Sequence, residues 1–209
     1  TIANHSLTLI TTMRDLLNKF LYGSSFSEAA NDGSRTLSIR PSPEDKNLFL
    51  IIPEGVPKEA PPLYTISKRD DKPNFVAYRG PPAPENIIGT ATIHFTTTTI
   101  DLSVFNQHMV VKNSLSGNWS FETPHIGKFK WKVNQMTGSS YELYDRAERK
   151  LAKYGSAGIT RPMEKQVSVF VPCDDFFTVT IILSIMACKE LDKINEKVTG
   201  KLINGLVGI

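Results

Sequence analysis

Hydrophobic and polar positions follow different periods in different parts of this chain, and each period predicts a different element. The longest apolar stretch lies within Asp174 to Lys197. Two acids open it, Phe176 to Cys188 is apolar except at Thr178, Thr180 and Ser184, and charges return at Lys189, Glu190, Asp192, Lys193, Glu196 and Lys197. Acids suit a helix start, where a side-chain oxygen caps orphan N–H groups and the helix dipole favours negative charge. The β-branched run from Thr178 to Ile182 argues for a strand, but the length and the terminal charges favour a helix, taken as Asp175 to Asn195. Such a helix has no polar side before Lys189, so protein or lipid must enclose it. Spanning a bilayer takes about 20 mainly apolar residues, whereas this run is shorter and carries three hydroxyls. The expectation is a helix wrapped in protein.

A second helix is predicted at the other end. Leu9, Ile10, Met13, Leu16, Leu17, Phe20 and Leu21 recur at helical spacing within Ser6 to Leu21, opposite Thr11, Thr12, Arg14, Asp15, Asn18 and Lys19. Tyr22 to Ser34, rich in Gly, Ser, Asn and Ala, reads as a linker. From Arg35 onward short β-like runs appear: Thr36 to Arg40, Leu48 to Ile52, Leu63 to Ser67, Phe75 to Arg79 and Ile87 to Thr98. Most prolines fall between those runs, where a missing N–H costs no ladder bond. The clearest alternation is Lys128 to Val133, with Phe129, Trp131 and Val133 on one face and Lys128, Lys130 and Lys132 on the other. Tyr141 to Asp145 and Lys150 to Tyr154 continue it as a meander, and Gln166 to Val171 leads into the apolar helix, with Val167, Val169 and Val171 expected inward. Roughly ten to twelve strands beside one all-apolar helix predict a mainly β fold with α, a closed antiparallel barrel around that helix, because closure removes sheet edges and gives the helix a dry interior. The organisation is then a helix and linker over residues 1–35, the barrel with its central helix over 36–197, and an apolar tail over 198–209.

Composition adds bounds. At 209 residues the chain suits a single sizeable core, and 40% hydrophobic with 22% charged residues is ordinary for a globular protein. A net charge of +3 is too small to imply nucleic acid. The two cysteines, Cys173 and Cys188, sit at the mouth and along the body of one helix, too far apart to bridge, so free thiols in a reducing, cytoplasmic setting are expected. No signal-peptide pattern opens the sequence. The Asn4-His5-Ser6 and Asn118-Trp119-Ser120 sequons are therefore read as chance matches.

The rhythm of Trp131, then Tyr141-Glu142-Leu143-Tyr144-Asp145, then Lys150-Leu151-Ala152, followed by a strand, an acid pair and a hydrophobic helix, resembles the tubby C-terminal-like superfamily. That group contains tubby proteins, plant LURP-one-related proteins, phospholipid scramblases and many uncharacterised fungal proteins, and the sequence is most similar to the fungal branch. The match covers about Thr36 to Lys197. It implies a twelve-stranded barrel threaded by a central helix. Family roles include phosphoinositide binding and lipid scrambling, but no tubby phosphoinositide ligand falls on a matching position here, and the apolar helix is too short for a scramblase span. Neither activity transfers residue by residue.

Candidate chemistry is sparse. His5, His94, His108 and His125 are scattered without metal-ligand or triad spacing, and Asp101, Glu142 and Asp145 have no partner visible in sequence. Cys173-Asp174-Asp175 resembles an activated thiolate at a helix start, but the neighbouring carboxylates raise a thiol pKa and capping already accounts for them. The expectation is a non-enzyme without metal or cofactor. Two surfaces need partners. Lys128, Lys130 and Lys132, with Arg146, Arg149, Lys150 and Lys153 of the next hairpin, form a candidate site for anionic lipid or phosphoinositide headgroups, with Glu142, Asp145 and Glu148 near enough to cancel it. The apolar stripe Leu9, Ile10, Met13, Leu16, Leu17 and Phe20 and the tail residues Leu206, Val207 and Ile209 form candidate interaction surfaces. Their partners are the chain's own barrel, a second subunit or a membrane interface. The favoured expectation is a structural or interaction protein that self-associates into a homo-oligomer through its terminal segments, and the alternative is a peripheral membrane protein using the basic face.

Overall fold

The computed structural model describes residues 34–207 except 58, 115, 124, 135–139 and 158–163, with backbone alone from 199. The predicted helix Ser6 to Leu21, the linker up to Gly33 and Ile209 lie outside the described residues, as do the side chains of Leu206 and Val207. Twelve antiparallel strands follow one another in order: β1 (Arg35–Pro41), β2 (Leu48–Pro53), β3 (Tyr64–Lys68), β4 (Phe75–Arg79), β5 (Ile87–His94), β6 (Thr99–Val104), β7 (Gln107–Asn113), β8 (Trp119–Thr123), β9 (Gly127–Val133), β10 (Tyr141–Asp145), β11 (Lys150–Ser156) and β12 (Lys165–Val169). The barrel closes where β12 pairs with β1, Val167 opposite Leu37. Helix α1 (Asp175–Val207) enters from the end of β12 and threads the interior.

Sequence pattern and structure agree closely on β4 and β10. The strand expected over Ile87 to Thr98 ends four residues earlier, at His94, and Phe95–Thr98 form the turn into β6, where Thr98 takes φ 50°. The next hairpin, β6 to β7, turns on Phe105 and Asn106 with φ 46° and 64° between the paired Val104 and Gln107. Two left-handed residues match the right-handed twist of the flanking strands. The helix also runs beyond its expected end at Asn195, continuing through Val198 to Val207.

Every residue from Phe177 to Cys188 is buried, as is Leu191. Phe129, Trp131, Val167 and Val169 point into this core, and Val133 and Val171 pack against it while partly exposed. The interior is uneven. The backbone of α1 comes nearest β5 and β6, with β4 beside them. The inward positions there include Ala77, Gly89 and Ala91, whereas β8 to β10 carry Trp119, Phe121, Phe129, Trp131 and Tyr141. Small residues let the helix approach one wall, and aromatic rings fill the wider gap opposite.

Gly89 is the tightest point of that approach. A Cβ there would lie 2.9 Å from Leu183 Cδ1 and 3.1 Å from the carbonyl oxygen of Ser103. An isolated glycine inside a strand often marks such an approach. Gly89→Ala should destabilise the barrel by about 1–3 kcal/mol, an overpacking cost, and by less in a Leu183→Ala background. Equal costs in the two backgrounds, measured by denaturant unfolding, would break the link to Leu183. Leu183→Asp buries an uncompensated charge at a fully buried position and should abolish folding. A variant retaining the wild-type melting temperature would contradict the assignment of α1 to the core.

Candidate functional site

Among the described residues, the two mouths of the barrel hold charged side chains, which the interior lacks. At the entry mouth, Asp174 Oδ1 accepts the backbone N–H of Phe177 at 2.8 Å, the N-cap bond expected from the acid pair. Asp175 is held from the barrel wall: its Oδ1 accepts from Tyr64 OH at 2.6 Å and its Oδ2 from Arg79 Nη2 at 2.5 Å. Cys173 Sγ lies 3.2 Å from Thr178 Oγ1, and burial, ahead of the adjacent carboxylates, pushes its thiol pKa up. Cys188 is fully buried and raised well above the ordinary thiol range for the same reason. Both cysteines are unpaired, and both are poor nucleophiles in these surroundings.

At the exit mouth a cavity of about 450 Å³ opens beside α1. Ile39, Phe49, Phe75 and Met186 form an apolar floor, and Lys68, Lys165, Lys189, Glu190, Asp192, Lys193 and Glu196 stand around it. Lys68 Nζ pairs with Glu190 at 2.8 Å, and the Lys189 ammonium sits 5.0 Å from the Tyr141 ring centroid. Asp192 accepts from Tyr141 OH at 2.5 Å and from Trp119 Nε1 at 3.3 Å, so one carboxylate ties β8 and β10 to the helix. Burial raises the pKa of Asp192, outweighing the lowering by those two donors. Tyr141 is raised in turn, by burial and then by its bond to Asp192. Asp192 was visible in the sequence only as one charge in a run; its role depends on a helical position facing two aromatic residues from distant strands.

The candidate basic face is on the outside of β9 to β11. Lys128, Lys130 and Lys132 project outward as alternation requires, and the hairpin brings Arg149 and Lys150 close. Acids interleave with them. Lys132 pairs with Glu148, Lys150 Nζ meets Glu142 Oε1 at 2.6 Å, and Arg149 Nε meets Asp145 Oδ2 at 2.7 Å. Lys132 also lies 4.4 Å from the Tyr144 ring centroid. Glu142 stands between Lys132 and Lys153 in the ladders, and hydrogen bonds from Lys150 and Tyr144 hold its carboxyl below the usual range. Partial burial pushes Asp145 upward, yet bonds from the Arg149 backbone and side chain keep its carboxyl low. Lys128 faces Glu122 across the β8–β9 ladder and, with Lys112, edges a shallow depression of about 280 Å³. Arg146 is exposed in the β10–β11 turn. Asp101 has a partner that sequence did not show, His94 Nε2 at 2.8 Å across the β5–β6 hairpin. Among the described residues no three His, Cys, Asp or Glu side chains converge as a metal-ligand set, and no helix is long and apolar enough to cross a membrane.

No protein-family model matches the chain, and no curated protein matches it. Among solved structures the chain is similar to the X-ray structure of a protein from Arabidopsis thaliana, at 13% identity over 78% of this chain and 93% of that one, with a TM-score of 0.36. A likeness that distant carries no argument about function.

The electrostatics of Asp192 give a prediction with a definite sign. An acid whose pKa is higher folded than unfolded binds its proton more tightly in the folded state. Its contribution to stability therefore improves as pH falls from neutral through the folded pKa, and levels off below the unfolded value of about 4. An asparagine in place of the acid keeps an acceptor oxygen for Tyr141 and Trp119 without the buried charge. Asp192→Asn should melt higher than wild type at neutral pH, with the gap closing by about pH 4. A variant less stable than wild type at neutral pH would show that the charge strengthens the two bonds more than its burial costs.

Proposed function

We propose that this is a non-enzymatic interaction protein built on a tubby-like barrel, which self-associates through the C-terminal segment outside the barrel. The observation that carries the reading is the length of α1. At 33 residues it extends about 50 Å, while its buried part ends near Leu191 and Val198 is already 53% exposed. In the sequence Val198, Leu202 and Leu206 recur at intervals of four, the spacing of one helix face, and Val207 follows. A helical extension with an apolar stripe beyond its own barrel is suited to meet another copy. The Trp131, Tyr141 to Asp145 and Leu151-Ala152 rhythm supports the tubby-like assignment, within the twelve-stranded barrel and central helix. The paired acids on β9 to β11 weaken the alternative headgroup site, since exposed pairs already satisfy three of the cations an anionic lipid would need. Two unpaired thiols agree with a reducing, cytoplasmic location.

Light scattering on the full chain and on a chain ending at Lys197 tests the reading. The full chain should form oligomers, and either the truncation or Val198→Asp with Leu202→Asp should return it to monomer. A full chain that stays monomeric at high concentration, yet floats with anionic vesicles and is released by salt, would replace this reading with the headgroup one and point to Lys128, Lys130 and Lys132.

A further inference from the structure

In a closed barrel, outward side chains meet water unless something lies over them. On β9 the outward row is Lys128, Lys130 and Lys132. On β1 to β4 it is different. Ile52, Val76 and Tyr78 alternate with residues of the interior cluster and are not part of it, yet they are only 2%, 2% and 5% exposed. Thr65 lies among them, cross-strand from Leu50 and from Tyr78, and is 0% exposed with its hydroxyl lacking any hydrogen-bond partner. Ser38 continues the row on β1, opposite Ile52 and 4% exposed. From the described loops, Arg69 Nη2 reaches the row at Tyr78 OH, 2.9 Å. This is a second apolar layer, outside the barrel and sealed.

We propose that the cover over this layer is the chain's own amphipathic segment, Ser6 to Leu21, docked on the outer face of β1 to β4. The stripe Leu9, Met13, Leu16 and Phe20 needs an apolar surface, and among the described residues this outer row avoids water. The Thr65 hydroxyl is buried without a partner, so whatever lies over it offers no polar group, and an apolar stripe meets that condition. Geometry allows docking within one chain. Four strands span about 14 Å from the first to the last, and a 16-residue helix is about 24 Å long. The chain enters β1 at Arg35, beside Ser38 at the margin of the row, and the 13 residues of Tyr22 to Ser34 can extend to about 45 Å. The segment reaches this face without leaving its own barrel.

Thiol reactivity tests the assignment. Cys173 and Cys188 are 2% and 0% exposed, so the native background is slow. With Val76→Cys in the full chain, maleimide should label the introduced thiol slowly, and at least about tenfold faster when Leu9, Met13 and Leu16 are all changed to Asp or when residues 1–21 are removed. Continued protection of Cys173 and Cys188 distinguishes uncovering from unfolding. Equal rates in folded chains with and without the segment would overturn the proposal, because the barrel's own loops would then be the cover. Cysteines placed in turn at Leu9, Met13 and Leu16 should form a disulfide with Val76→Cys inside a monomer. Disulfide-linked dimers instead, or no cross-link from any position, would also overturn it.

Discussion

The structure depends on enclosing a helix that has no polar face for three turns. Such a helix is stable only where no water reaches it, and a closed barrel supplies that space while leaving no strand edge exposed. Enclosure then constrains the wall. A helix packed off-centre needs small inward residues on the near side and large ones on the far side, which Ala77, Gly89 and Ala91 and the aromatic residues of β8 to β10 provide. The two sets compensate one another, so a change at Gly89 is felt by Leu183 across the gap rather than by its own strand alone.

Much of this was legible because the two periods in the sequence are clean. Lys128 to Val133 alternates without a fault, and Phe176 to Cys188 is apolar on every side, so a strand and an enclosed helix follow from the residues. Strands β6 to β8 were not individually legible. The turns on either side of β6 rest on Thr98, Phe105 and Asn106 in left-handed conformations, and threonine and phenylalanine give little local warning of that geometry. Polar partnerships between distant strands were also invisible. Nothing near Asp192 in sequence points to Trp119 and Tyr141, and nothing near Asp175 points to Tyr64 and Arg79. The acids beside the basic residues were readable, but pairing in register had to be seen to show that they neutralise three of them.

The outside of the barrel divides into a charged side on β9 to β11 and an apolar side on β1 to β4. This division explains why alternation was so clear in one meander and so blurred in the first strands. In Leu48 to Pro53 nearly every residue is apolar because both faces avoid water, whereas in β9 only one does. A strand without alternation is a strand covered twice.

An apolar helix in an apolar tube has a further problem, which hydrophobic burial alone does not solve. Sliding by one turn, about 5.4 Å, would exchange one set of apolar contacts for another at modest cost. The polar contacts are placed to prevent this. Asp175 is fixed by Tyr64 and Arg79 at the entry, Ser184 accepts from Trp131 Nε1 at 3.0 Å in the middle, and Asp192 and Glu190 are held by Trp119, Tyr141 and Lys68 at the exit. Each contact joins a side chain of α1 to a different part of the wall, and a slide of one turn would break all of them together. A slide of one turn toward the entry would bring Cys188 to the level of Ser184, so the buried Trp131 donor would exchange a hydroxyl acceptor for a weaker thiol one. Burial therefore explains why the helix is inside, and these few polar contacts explain why it stops where it does, with its last turns projecting beyond the barrel.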